Sequence, residues 1–163
     1  MLLLVIGLGI AVALVLLNAA LATAPAAVPD LSRPGTLDAP RAINVIMRDY
    51  RFDPTPLYLV PGETVRFTVV NAGLVGHDLV LGDASVQSRW SEADAQATAP
   101  GPFATAPPAS VAPGTGGLRL LVASGGSAVV DYRVPSTDGL QLVCHLPGHA
   151  ERGMVGQVLL TNP

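Results

Sequence analysis

The segment Cys144–Met154, CHLPGHAERGM, gathers one thiol, two imidazoles and a thioether into eleven residues. The whole chain holds only one cysteine, three histidines and three methionines. Cys144, His149 and Met154 are each separated by four residues, and Pro147-Gly148 and Gly153 bend the chain between them. A thiolate leaving one strand, an imidazole on the loop and a thioether opening the next strand can then converge on one point. His77, beyond the turn Asn71–Gly76, offers a fourth donor from a different loop. Two imidazoles and a thiolate in a plane, with a weak axial thioether, suit a single copper ion that changes oxidation state. The thiolate is soft, the imidazoles satisfy Cu(I) and Cu(II) alike, and the thioether is too weak to force a tetragonal Cu(II) geometry. Zinc is the rival metal, but its structural sites favour more thiolate or harder ligands.

Each donor also has an ordinary role to set against this one. A lone cysteine is usually an inert core residue, but here two further donors follow it at loop spacing. Taken singly, His77 and His149 read as packing or surface histidines; together with Cys144 they read as ligands. Met154 opens an apolar strand and is the donor that core filling would explain most easily, and Met47 belongs to the core outright.

The elements that must position these donors are short β-type runs punctuated by Pro, Gly, Asn and Asp. They are Ile43–Tyr50, Leu57–Val60, Thr64–Asn71, His77–Leu81, Leu118–Ala123, Ala128–Val134, Leu140–His145 and Met154–Thr161. About eight strands with frequent turn signals predict an all-β sandwich. Residues 82–117 are rich in Pro, Ala and Gly and are expected to form an irregular insert, with Ser91 and Asp94 capping one short helix over SEADAQA. The folded domain is expected over residues 41–163, after a Pro/Ala-rich tether at 25–40.

ETVRFTVVNAGLVGHDLVL, taken with CHLPGHAERGMVGQVLL, resembles the cupredoxins, the family of plastocyanin, azurin and pseudoazurin, and YRFDPTPLYLVPGETVRF fits as well. The resemblance covers roughly Ile43 to Thr161 apart from the insert. The two four-residue spacings are similar to rusticyanin and auracyanin loops. It implies a Greek-key sandwich, one copper ion held by His77, Cys144, His149 and Met154, and a one-electron carrier rather than an enzyme. The edge of His149 would meet redox partners transiently through an apolar patch of Leu74, Val75, Leu146 and Pro147, with Glu151 and Arg152 orienting the approach. Copper sequestration or delivery is the alternative.

His145 beside Cys144 is similar to the bridging histidine of multicopper oxidases, but three histidines cannot build a trinuclear cluster. A dinuclear copper domain needs two cysteines. On a strand, neighbours of a ligand face the other way, so Asp78 and His145 are expected to pair, carboxylate to imidazole, behind the metal. Gly76 is read as a turn residue that also lets its carbonyl approach the metal opposite Met154.

Composition excludes several other classes. All nine basic residues are arginine, the net charge of −3 is modest, and no basic cluster exists to hold nucleic acid or anionic lipid. The chain is read as a monomer. Met1 to Val28 carries no charge. Residues 1–24 are expected to be a signal peptide, cut after Ala22, or a membrane anchor, since about 20 apolar residues span a bilayer. No Lys or Arg precedes the apolar run, so either the true start lies upstream or the segment remains as an uncleaved anchor. Both outcomes place the domain outside the cytoplasmic membrane, exported to the periplasm or an equivalent space.

Overall fold

A computed structural model of the chain describes residues 29–97 and 109–162. The expected signal or anchor and the middle of the insert lie outside the described residues. No helix among those described is long and apolar enough to cross a membrane.

Among the described residues, nine strands form two sheets. They are β1 (Arg41–Arg48), β2 (Arg51–Asp53), β3 (Leu57–Leu59), β4 (Thr64–Asn71), β5 (His77–Gly82), β6 (Leu118–Val122), β7 (Ser127–Arg133), β8 (Gln141–Val143) and β9 (Val155–Leu160). One sheet runs β2-β1-β4-β7 and the other β3-β9-β8-β5-β6. Both are mixed, because β1 pairs with β4 and β3 with β9 in parallel while the other pairs are antiparallel. The expected all-β sandwich is therefore present with one more strand, β2, than the sequence suggests.

Alternation decides which face is inside. Ile43, Val45 and Met47 of β1 and Val65, Phe67 and Val69 of β4 are buried, whereas Arg48 and Arg66 face solvent. They meet Leu79, Leu81 and Leu142 of the second sheet, with Cys144 and Met154 just beyond its strand ends, in one continuous core. Full burial of a side chain such as Phe67 stabilises the fold by about 1.5–3 kcal/mol.

Strand β5 departs from alternation, since all six of its residues are buried. Its outer face is roofed by helix α1 (Ala84–Gln96). The helix is longer than expected and starts earlier. Asp83, not Ser91, caps it: Asp83 Oδ1 accepts from the amides of Ser85 at 2.9 Å and Val86 at 3.1 Å. Val86 seats the first turn against two glycines. A Cβ on Gly82 would lie 2.4 Å from its Cγ1, and one on Gly117 would lie 2.6 Å away. The first part of the insert is thus a capped helix.

The expected tether is fastened before β1 begins. Gly35 accepts the Thr64 amide at 2.9 Å and donates its own amide to Glu63 Oε2 at 3.3 Å. Glycine is required there, because an added Cβ would sit 2.1 Å from the Thr64 carbonyl oxygen.

Candidate metal centre

The site lies at one end of the sandwich, where β5 begins, β8 ends and β9 begins. Asn71 prepares the approach to β5. Its Nδ2 donates to the carbonyls of Val75 and Val122, both at 2.9 Å, and its Oδ1 accepts the Gly73 amide at 2.9 Å. That fully buried amide closes the 71–76 turn and delivers His77 at the mouth of the core. The second donor segment is a closed loop. The Cys144 amide donates to the Met154 carbonyl at 3.1 Å, and the Met154 amide to the His149 carbonyl at 3.0 Å. Gly148 and Gly153, at φ +78° and +93°, make the two bends that an L side chain would strain.

This backbone brings His77, Cys144 and His149 together, with one donor atom of each within 4.8 Å of the other two. The Nδ1 atoms of His77 and His149 are 3.1 Å apart, and Cys144 Sγ lies 3.2 Å from His149 Nδ1. Donors bonded to one metal at about 2.0 Å for nitrogen and about 2.3 Å for sulfur stand roughly this far apart. Cys144 Sγ also accepts the Asp78 amide at 3.4 Å. Met154 is fully buried, and its backbone is pinned to two of the other three residues. The four residues expected from the sequence therefore sit in one neighbourhood, with three donor atoms meeting.

Electrostatics favours a neutral His149 ring and a protonated Cys144 thiol in the metal-free chain. Burial pushes the Cys144 thiol up to about 12, and the Asp78 carboxylate adds to the shift against the amides of Asp78 and Leu146. A metal supplies the positive charge that displaces this proton. Burial, then the neighbouring His77 ring and Arg152, lower His149 below its ordinary value, so its lone pair is free.

Two residues with no sequence signal complete the centre. Asp49 Oδ1 lies 3.2 Å from His77 Nε2 and accepts the Leu74 amide at 2.9 Å. Burial raises the Asp49 carboxyl, but the His77 hydrogen bond and the Leu74 and Val75 amides outweigh it and hold the group below the usual range. The carboxylate accepts from Nε2–H and leaves the lone pair of His77 on Nδ1, facing the other donors. Gly73 permits this approach, since a Cβ there would lie 2.4 Å from Asp49 Oδ1. Tyr50 follows in the same turn at φ 66°. Its ring stands edge-on to His149 with centroids 5.1 Å apart, and its hydroxyl accepts from Arg152, whose guanidinium carbon lies 4.7 Å above the ring.

The expected pairing of Asp78 with the His145 ring does not form. Asp78 Oδ1 accepts the His145 backbone amide at 2.8 Å, and the ring turns instead to Gln87 Oε1 at 2.8 Å. The reason is competition: Asp78 Oδ2 is taken by Arg119 at 2.8 Å. The two ligand strands are still tied through Asp78, by a backbone donor rather than an imidazole.

The chain is 34% identical over 135 residues to the copper-resistant cuproprotein CopI of Rubrivivax gelatinosus, an alignment covering 78% of this chain and 72% of that one. It belongs to the CopI family. The CopI of Pseudomonas aeruginosa is 28% identical over 137 residues, covering 74% of this chain and 76% of the relative. Among solved structures, dithionite-reduced auracyanin from Roseiflexus castenholzii superposes with a TM-score of 0.56 at 20% identity, covering 74% of this chain and 96% of that one. The fold of this CopI relative is accordingly that of a cupredoxin. No family model matches the chain.

Proposed function

We propose that the chain binds one copper ion through His77, Cys144 and His149, with Met154 as the weak axial donor, and carries single electrons outside the cytoplasmic membrane without transforming a substrate. The observation that carries this reading is the convergence of three donor atoms, from His77, Cys144 and His149, within 4.8 Å of one another. Copper supplies a one-electron couple, and the chain's part is to hold both oxidation states in one geometry. Asn71 fixes the turn before His77, the Cys144–Met154 amide bond fixes the loop, and the apolar core keeps water from the sulfur.

Leu74 and Val75, 87% and 41% exposed, supply apolar surface next to His77, and Leu146 and Pro147 flank the loop that carries His149. A small apolar surface with little charge suits brief docking to redox proteins. Sequestration or delivery is the second reading, supported by the word "copper-resistant" in the relatives' names. The two readings separate in one titration. Cu(II) added to the metal-free protein from Thr23 onward is expected to bind with one-to-one stoichiometry, develop an intense thiolate-to-copper absorption and show a reversible potential. A colourless site that holds only Cu(I) would replace the carrier with a store.

Asp49 provides a second test of the centre. Asp49→Ala removes the acceptor from His77 Nε2–H and makes that imidazole a poorer donor to Cu(II). Copper affinity is expected to fall about 10- to 100-fold, the usual cost of losing an outer partner of a ligand histidine. The potential should rise, because the cupric state loses more than the cuprous one. Competition with a chelator and voltammetry measure the two effects.

A further inference from the structure

Helix α1 makes no hydrogen bond to the four proposed ligands, and beside the buried Val86 its inward face carries polar groups. Gln87, Trp90 and Asp94 recur at the three- and four-residue spacing of one helix face. This stripe meets the residues that directly follow two ligands. Gln87 Nε2 faces the carbonyls of Val80, Gly82 and Gln141 at 3.1, 3.3 and 3.0 Å. Carbonyls only accept, so the amide nitrogen must point there and Oε1 must point at His145. His145 Nε2 therefore carries a proton and donates it to Gln87 at 2.8 Å. On the other side, Asp94 binds Arg119 Nη2 at 2.8 and 3.1 Å, and the guanidinium lies 4.4 Å over the Trp90 ring. Arg119 in turn donates from Nε to Asp78 Oδ2 at 2.8 Å, while Asp78 Oδ1 holds the His145 amide.

We infer that α1 is a positioning element for the metal centre: Gln87 and the Asp94–Arg119 pair clamp His145 and Asp78 from behind, and so fix the separation of Cys144 Sγ from His77. Asp78 and Gln87 are 0% and 8% exposed, and no buried side-chain nitrogen or oxygen among the described residues lacks a partner. A fully satisfied buried network of this kind resists displacement, because moving any member strands another polar group. The helix that the insert supplies is thus part of the apparatus that holds the donors still when an electron moves. This rests on the copper reading for its functional meaning, but the clamp itself exists without metal.

The test uses the full chain carrying Gln87→Met, Asp94→Asn or, as a control on the exposed end of the helix, Gln96→Ala. In the metal-free protein, amide exchange at Asp78 and His145 is expected to quicken about 5- to 10-fold in the first two variants, the equivalent of one lost hydrogen bond. Exchange in β1 and β4 should stay unchanged, as should every amide near the site in Gln96→Ala. In the copper-loaded protein, the same two variants should shift the cupric hyperfine splitting and the potential, which a helix acting only as a lid on the core would leave alone. Unchanged exchange at both positions, or acceleration spread evenly over the whole chain, overturns the inference. Should Gln87→Met fail to fold, Asp94→Asn decides alone, since it keeps the size and shape of the side chain. A wild-type chain that takes up no copper defeats the proposed function, while the exchange measurement still decides the clamp.

Discussion

Cys144→Ser is expected to abolish the intense visible absorption of the copper-loaded protein while leaving a folded domain. The colour requires charge transfer from a thiolate, and the chain contains no second sulfur of that kind. Serine at this position offers an oxygen that neither ionises at neutral pH nor shares electron density with copper in the same way. The loss in Cu(II) affinity should exceed the about 10- to 100-fold typical of an outer partner, because a direct ligand is removed. The metal-free variant should lose only about 1–3 kcal/mol, the cost of placing an under-bonded hydroxyl in an apolar setting. That hydroxyl inherits one partner, the Asp78 amide that Cys144 Sγ accepts at 3.4 Å. Visible and EPR spectra read the first effect, and thermal melting of the metal-free chain reads the second. A retained intense band would remove Cys144 from the centre altogether.

How much of this centre is legible in the sequence depends on whether the residue types are rare and close together. Cys144, His149 and Met154 stand out because a chain poor in soft donors concentrates them in one loop, and His77 follows once a fourth donor is sought near a turn. The strands are legible for a different reason: one face of each meets the core, so apolar and polar residues alternate along β1 and β4. Helix α1 escapes both signals. Its docked face mixes Val86 and Trp90 with Gln87 and Asp94, so the apolar period is broken and hydrophobic periodicity gives no clear signal. Only Asp83, placed three residues before the first buried helical side chain, marks where it starts. Asp49 and Arg119 are silent for a related reason. Each acts through a partner remote in sequence, His77 for one and Asp78 for the other, and an isolated charged residue in a turn or strand looks like any solvated one. The Asp78–His145 expectation failed on the same ground: strand geometry correctly turned both residues away from the metal, but it could not reveal that Arg119 and Gln87 wait on that side.

Glu63→Gln should produce the largest loss of stability of any single isosteric change away from the metal centre. The Glu63 side chain is fully buried and accepts from four donors: Arg41 Nε at 2.8 Å, Arg41 Nη2 at 2.5 Å, the Val60 amide at 2.7 Å and the Gly35 amide at 3.3 Å. An amide of the same shape has one oxygen to accept with and places an NH₂ against donors on the other side. It also leaves the guanidinium of Arg41, 17% exposed, without its counter-charge. Breaking a buried pair from one side costs about 3–5 kcal/mol, a large part of the about 5–15 kcal/mol that holds a domain together. The exposed Arg66–Asp131 pair is the natural comparison, and Asp131→Asn should leave the melting curve nearly unmoved, since solvent screens a surface ion pair. The effect of Glu63 is also bound to pH with a definite sign. Burial raises its carboxyl, but Arg41 and the Val60 and Gly35 amides more than offset this and hold it below its ordinary value in the folded chain. A carboxyl lowered by folding adds stability that is fully present above the unfolded value and fades as pH falls through the folded one. Melting curves of the metal-free wild type and Glu63→Gln should therefore lie far apart near pH 7 and draw together in acid. A separation that stays constant across that range would mean that the charge of Glu63 contributes nothing, and that only its shape holds Gly35 and Val60 in place.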